Sequence, residues 1–306
     1  MPRAISITRR ATLLLALAAA ALFLALSAAF GNGLLGGPLW SGSRWIDSPA
    51  ITWLLAGLIL AAGAVQAGRL PAGGLDLRFP RDEATPGQAE EPLVAKLLFG
   101  NVFCALPAMP LRFFAGRMWL DAAFGKMTKP GWTDGGQALH GFWQTSIAVN
   151  DRGQGKITYD WYRALLRFMD GQHWYAWFAK AIIGGEAMVG LALLFGGLVG
   201  IAAVGGAFMN FNYGLAGSAS ANPIMLALGV LLVLGWRTAG YWGLDRWLLP
   251  ALGTPWRPGS AFAGKPYPAG AAVDGLTAPP AADRMRRRPP RPAALTRGRR
   301  ISPARR

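Results

Sequence analysis

The residues of this chain that could do chemistry are few, and they stand inside apolar stretches. "LRFFAGRMWLDAAFGKM" carries Arg117 and Asp121 one helical turn apart, with Arg112 before them and Lys126 after. "AIIGGEAMVGLALLF" carries Glu186 as its one ionisable group, and "MNFNYGLAGSASANP" carries Asn210 and Asn212. Ionisable groups at that depth are costly, face the bundle interior and pair with one another. The spacing therefore predicts an Arg117–Asp121–Glu186 cluster, either a charge-balanced network fixing helix register or a proton relay or headgroup site. Arg112 and Lys126, near opposite ends of their segment, are expected to snorkel. Asn210 and Asn212 need partners in lipid. They either bridge helices or, with Lys126, line a polar pocket at the outer face.

The medium follows from composition. The 306 residues are 53% hydrophobic and 15% charged, against about a quarter charged in soluble domains. That balance, with apolar runs of about 18 residues or more, implies an all-α polytopic membrane protein. Cys104 is the sole cysteine, which excludes an internal disulfide or a paired dithiol. It reads as an inert core thiol. His140 and His173 are too few for a haem or zinc site within one chain, and both suit surface positions or a proton donor. Redox chemistry would need a borrowed cofactor or partner.

Six apolar segments are expected. The first, up to Phe30, follows Arg3, Arg9 and Arg10 and reads as an uncleaved span or a long signal peptide; "TRRATLL" faintly resembles a twin-arginine signal. The second is 51–67, and 68–96 is a polar connector. Pro107 and Pro110 break the next stretch, placing the third span at 111–127 behind a short interfacial segment. The others fall near 175–195, 198–217 and 222–240, with Gly196 and Gly200 in a small-xxx-small pattern suited to close helix packing. Pro223 fits a helix first turn capped by Ser220 or Asn222. The 128–173 loop contains an amphipathic helix, "DWYRALLRFMD", suited to a membrane surface, with Leu165, Leu166 and Met169 on its apolar side.

Charge orients the chain. From Tyr241 onward there are 13 Lys and Arg against 3 Asp and Glu, so +10 of the net +16 lies in the tail. With a basic N-terminus and an even number of spans, both termini are expected in the cytoplasm. The 128–173 loop is then outside. Residues 251–306, rich in Pro, Ala and Arg, are expected to be a disordered tail. It suits anionic lipid better than nucleic acid.

Several stretches in order, "LRFFAGRMWLDAAFGKMTKPGWTDGG", "ITYDWYRALLRFMD", "WFAKAIIGGEAMVGLALLFGG", "MNFNYGLAGSASANP" and "AGYWGLDRWLLP", together resemble the DoxX family. Within it they are most similar to the DoxD-type subunit of thiosulfate:quinone oxidoreductase. The likeness covers roughly 98–250. It implies a DoxX-like four-helix membrane core, to which 1–97 adds two N-terminal apolar helices and a connector and 251–306 the tail. The family's arginine and its Gly-x-x-Lys ending fall on Arg112 or Arg117 and on Lys126. Its Gly–Glu pair falls on Gly185 and Glu186. Its Asn…Gly-Ser…Asn-Pro run falls on Asn210, Gly217, Ser218, Asn222 and Pro223, and its terminal pair on Asp245 and Arg246.

The resemblance implies thiosulfate oxidation to tetrathionate, with quinone as electron acceptor and a second, DoxA-like subunit as partner. Relatives assigned to thiol or oxidative stress imply a thiol-oxidoreductase partner instead. Arg117, Asp121 and Glu186 would manage charge or protons, and Lys126, Asn210 and Asn212 would bind substrate. The alternative is a non-catalytic membrane scaffold that recruits or stabilises a redox partner.

Overall fold

The computed structural model describes residues 3–30, 34, 45–79, 92–252 and 273–274. Three helices are long and apolar enough to cross a membrane: α1 (Arg9–Ala29), α2 (Pro49–Arg69) and α7 (Tyr175–Phe195). A fourth crossing forms if α3 (Leu93–Gly100) and α4 (Ala105–Thr128), bent by 70° at their junction, act as one. Two shorter helices, α8 (Val199–Leu215) and the apolar α9 (Asn222–Leu234), complete the bundle. The chain is thus a helical membrane protein.

Local chemistry explains the helix starts. Thr8 caps α1 by accepting from the Ala11 amide at 3.1 Å, and Ser48 caps α2 ahead of Pro49. The third span begins at Ala105 rather than at residue 111. Pro107 sits in its first turn, where no amide donor is required, and Pro110 is carried inside the helix. The expected sixth span stops at Leu234. A separate turn, α10 (Trp236–Ala239), follows Gly235, and then α11 (Asp245–Ala251). Neither Ser220 nor Asn222 caps α9: its N-cap is Ala221, without a side-chain bond, and Asn222 instead donates to the Ser218 carbonyl at 2.8 Å.

The main core joins Phe23 of α1, Ile59 of α2, Phe113 and Phe114 of α4, Leu193 of α7, Ala203 of α8 and Leu232 of α9. The two N-terminal helices therefore share one core with the remainder, and no packing boundary falls at 97–98. α4 and α7 approach closely. A Cβ on Gly190 would stand 2.9 Å from the Gly116 carbonyl oxygen, and one on Gly116 would stand 3.0 Å from that of Gly190. The expected small-xxx-small contact is divided: Gly200 lies against Trp236, whereas Gly196 ends α7 in a left-handed turn.

One end of the bundle carries Arg9, whose Nε donates to the Leu70 carbonyl at 2.7 Å. There β1 (Arg3–Ile7) pairs antiparallel with β2 (Leu75–Phe79), inside the expected connector. β2 also pairs in parallel with β3 (Val273–Asp274). Those two residues belong to the segment expected to be disordered; 253–272 and 275–306 lie outside the described residues.

A small cap covers the opposite end. It consists of α5 (Gln137–Ile147) and α6 (Asp160–Gly171), with Leu139, Trp143, Tyr162, Leu166 and Met169 packed on Ala179 and Ala216. The sequence reading foresaw α6 but not α5. Leu165 lies 42% exposed rather than on the buried side, alongside Trp161 and Phe168.

Candidate functional site

Beneath the cap lies a cavity of about 330 Å³, walled by α4, α5, α7, α8 and the start of α9. Its polar wall is one connected group. Lys126 Nζ donates to both Glu186 carboxylate oxygens, at 2.7 and 2.8 Å, and Tyr213 Oη donates to Glu186 Oε1 at 2.7 Å. The Glu186 side chain is 1% exposed and that of Lys126 19%. The ammonium also faces the rings of Trp132, 5.3 Å from the centroid, and Tyr213, 5.9 Å. The Gly116–Gly190 approach sets α4 against α7 closely enough for a lysine near the end of one helix to reach a carboxylate midway along the other.

Asn210, 3% exposed, also lines the cavity, and its amide Nδ2 has no hydrogen-bond partner. A buried donor left unmade costs about 1–3 kcal/mol, so this nitrogen is an open demand for an acceptor. Trp119, Phe142 and Met225 supply the apolar wall.

The expected Arg117–Asp121–Glu186 cluster is not what forms. Arg117 turns to the start of α2: its Nε donates to the Ile46 carbonyl at 2.6 Å, Nη1 to Thr52 Oγ1 at 2.5 Å and Nη2 to the Ser48 carbonyl at 3.3 Å. Asp47 and Asp121 are the carboxylates whose charge acts on it. Glu186 takes Lys126 instead, so Lys126 does not simply snorkel. A guanidinium with five fixed donors suits three oxygens of a helix start, and the flexible lysine reaches the carboxylate that remains.

Asn212 does not line the cavity. Its Nδ2 donates to the Phe208 carbonyl at 2.8 Å, and its backbone oxygen accepts from Tyr162 Oη at 3.1 Å. It ties α6 to α8. Burial pushes the Tyr162 phenol above its ordinary pKa, keeping it a donor. Of the six residues singled out from sequence, Lys126, Glu186 and Asn210 meet at the cavity; Arg117 and Asn212 serve other contacts, and Asp121 is not among the lining residues. Tyr213 was missed. Its signal was a phenol three residues beyond Asn210, in a stretch already marked by its asparagines.

At the other end Arg112 is buried and donates to the carbonyls of Ala239 at 3.3 Å and Trp242 at 3.0 Å. Asp245 accepts from the Leu198 amide and, at 3.0 Å, from that of Val199, capping α8. Both are structural clamps. His140 Nδ1 lies 2.7 Å from Asp170 Oδ1, joining α5 to α6. Cys104 is half-buried, before α4. Among the described residues no three His, Cys, Asp or Glu side chains converge to hold a metal ion.

The fold and site thus define a helical membrane protein with a partly polar cavity near one end of its bundle. Compared with protein-family models, with curated proteins and with solved structures, the chain matches none.

Proposed function

We propose that the chain is the membrane subunit of a quinone-linked redox complex in the cell membrane, with both termini in the cytoplasm and the cavity near the outer face. Thiosulfate is the donor: two molecules join through a new S–S bond to give tetrathionate. The two electrons released, with two protons, reduce one quinone to its hydroquinone. The partner is a DoxA-like subunit or another thiol oxidoreductase. The resemblance supplies this reaction. The observation that supports a small-molecule site on this chain is the cavity holding Lys126, Glu186, Tyr213 and the unpartnered Asn210 amide. Its size stands at the lower end of ligand pockets, about 300–1,000 Å³.

The scaffold reading has one observation in its favour: Lys126, Glu186 and Tyr213 satisfy one another and tie three helices together. Membranes carrying the chain, alone and with candidate partners, should be assayed for thiosulfate-dependent quinone reduction. A rate above that of matched membranes lacking the chain upholds the redox reading. No excess in any combination leaves the scaffold.

A further inference from the structure

We infer that the cavity selects a neutral molecule with an acceptor carbonyl, and excludes oxyanions such as thiosulfate. This rests on the quinone-linked reading and decides which of its two small molecules the cavity takes.

Charge is the first ground. The sequence alone presents Lys126 as a cation that would attract an anion. In the fold that cation is already held through both oxygens of Glu186, at 2.7 and 2.8 Å, and ringed by Trp132 and Tyr213. Lys126 and Glu186 cancel, so the wall offers no surplus positive charge. An incoming dianion would lie beside a carboxylate that is 1% exposed and accepts a third bond from Tyr213. Charges brought out of water need surplus opposite charge to compensate their desolvation.

Hydrogen bonding is the second ground. Asn210 Nδ2 is a buried donor without a partner, on a residue 3% exposed that lines the same cavity. A carbonyl oxygen satisfies one neutral donor without bringing charge. Trp119 and Phe142 line the same cavity and give a flat ring aromatic neighbours, which pack in offset or edge contacts.

The test uses the full chain in lipid nanodiscs, with a short-tailed benzoquinone, thiosulfate and sulfate as probes in titration calorimetry. The quinone should bind saturably, and neither anion should compete at millimolar concentration. Asn210→Leu should weaken quinone binding at least tenfold while its melting temperature stays within a few degrees of wild type. Glu186→Gln frees the Lys126 cation and should create thiosulfate binding absent from the wild type, a gain that a misfolded variant does not produce. Displacement of the quinone by thiosulfate in the wild type, or wild-type quinone affinity in Asn210→Leu, overturns the inference. The membrane assay separates the two ideas. Turnover together with unchanged affinity in Asn210→Leu removes the cavity assignment and keeps the redox reading. Asn210-dependent quinone binding without turnover keeps the cavity assignment and removes thiosulfate.

Discussion

Lys126 Nζ and Glu186 Oε1 lie 2.7 Å apart between α4 and α7, and the carboxylate so held also accepts from Tyr213 on α8. One carboxylate therefore joins three helices at the wall of the cavity. Its neutralisation by a lysine about two and a half turns from the expected arginine changes what the cavity can attract.

Removal of that carboxylate should cost stability. Glu186→Gln leaves Lys126 without its counter-charge; breaking a buried pair costs roughly 3–5 kcal/mol in soluble cores. Lys126 is 19% exposed, so water recovers part of this, and a loss near the low end, about 3 kcal/mol, is expected. Thermal melting in detergent should show Glu186→Gln well below wild type, with the double variant Glu186→Gln/Lys126→Met partly restored. A double variant no more stable than the single one would show that the pair carries no mutual stabilisation.

Arg117 should behave as an anchor for α2 and not as part of the cavity. Arg117→Lys keeps the charge but cannot span Ile46, Ser48 and Thr52 together. Faster amide exchange across 48–52 is expected, with quinone affinity within twofold of wild type. Loss of affinity without faster exchange would return Arg117 to the site.

These two residues show what was legible in the sequence. That Arg117 and Glu186 would be buried and partnered followed from the cost of charge in lipid, and both are. Which partner each takes depends on helix rotation and on the level at which α2 begins, and neither is encoded in spacing along one helix. The span α7 was read to its observed ends because Trp174 and Gly196 mark them. The start of α4 differs from the expected one because Pro107 lies in the first turn, where it costs nothing, and Pro110 is carried inside the helix. The helix α5 lies in the stretch expected as a loop, yet Leu139, Trp143 and Ile147 recur at helical spacing and all three are buried. Among the asparagines, Asn210 lines the cavity. Asn212, two residues on, points elsewhere on a helix of 3.6 residues per turn.

Asn212 and Tyr162 hold the cap, and their loss should loosen it. Tyr162→Phe removes the hydroxyl that donates to the Asn212 carbonyl at 3.1 Å and reaches its side-chain Oδ1 at 3.4 Å, a contact worth about 0.5–1.5 kcal/mol. Limited proteolysis between α5 and α6, at 148–159, should quicken in Tyr162→Phe. Asn212→Leu keeps its backbone carbonyl and should have the smaller effect. A larger effect from Asn212→Leu would mean that the side-chain Oδ1 of Asn212, and not its backbone carbonyl, is the acceptor that holds Tyr162.

The orientation is tested by single cysteines in a Cys104→Ser background. The proposed orientation, which the Lys and Arg excess in the tail and the basic start support, has both termini inside and the cap, with Trp161 exposed, outside. A cysteine at Asp151, in the exposed turn of the cap, should react with a membrane-impermeant maleimide on intact cells, and one at Ser302 only after permeabilisation. The reverse pattern would put the cavity on the cytoplasmic side, away from an external donor.

The last prediction concerns Gly196, where α7 turns into α8. Its φ is 66°, a left-handed conformation, and a Cβ there would overlap the guanidinium of Arg112. Strain of this kind costs about 1–3 kcal/mol for a non-glycine residue, and here the neighbour cannot yield. Arg112 is 1% exposed and holds the carbonyls of Ala239 and Trp242. The same turn gives its Gly196 carbonyl to the Asp245 amide at 2.7 Å, while Asp245 caps α8 in return. Gly196→Ala should therefore unseat α10 and α11 as well as strain the turn. A fall in melting temperature larger than that of Asp245→Asn is expected, because Asp245→Asn removes only the charge of the cap and keeps one acceptor oxygen. If Gly196→Ala melts like wild type, the guanidinium has room to move and Arg112 is not the clamp described. If Gly196→Ala and Asp245→Asn destabilise equally and their double variant adds nothing, turn and cap act as a single unit.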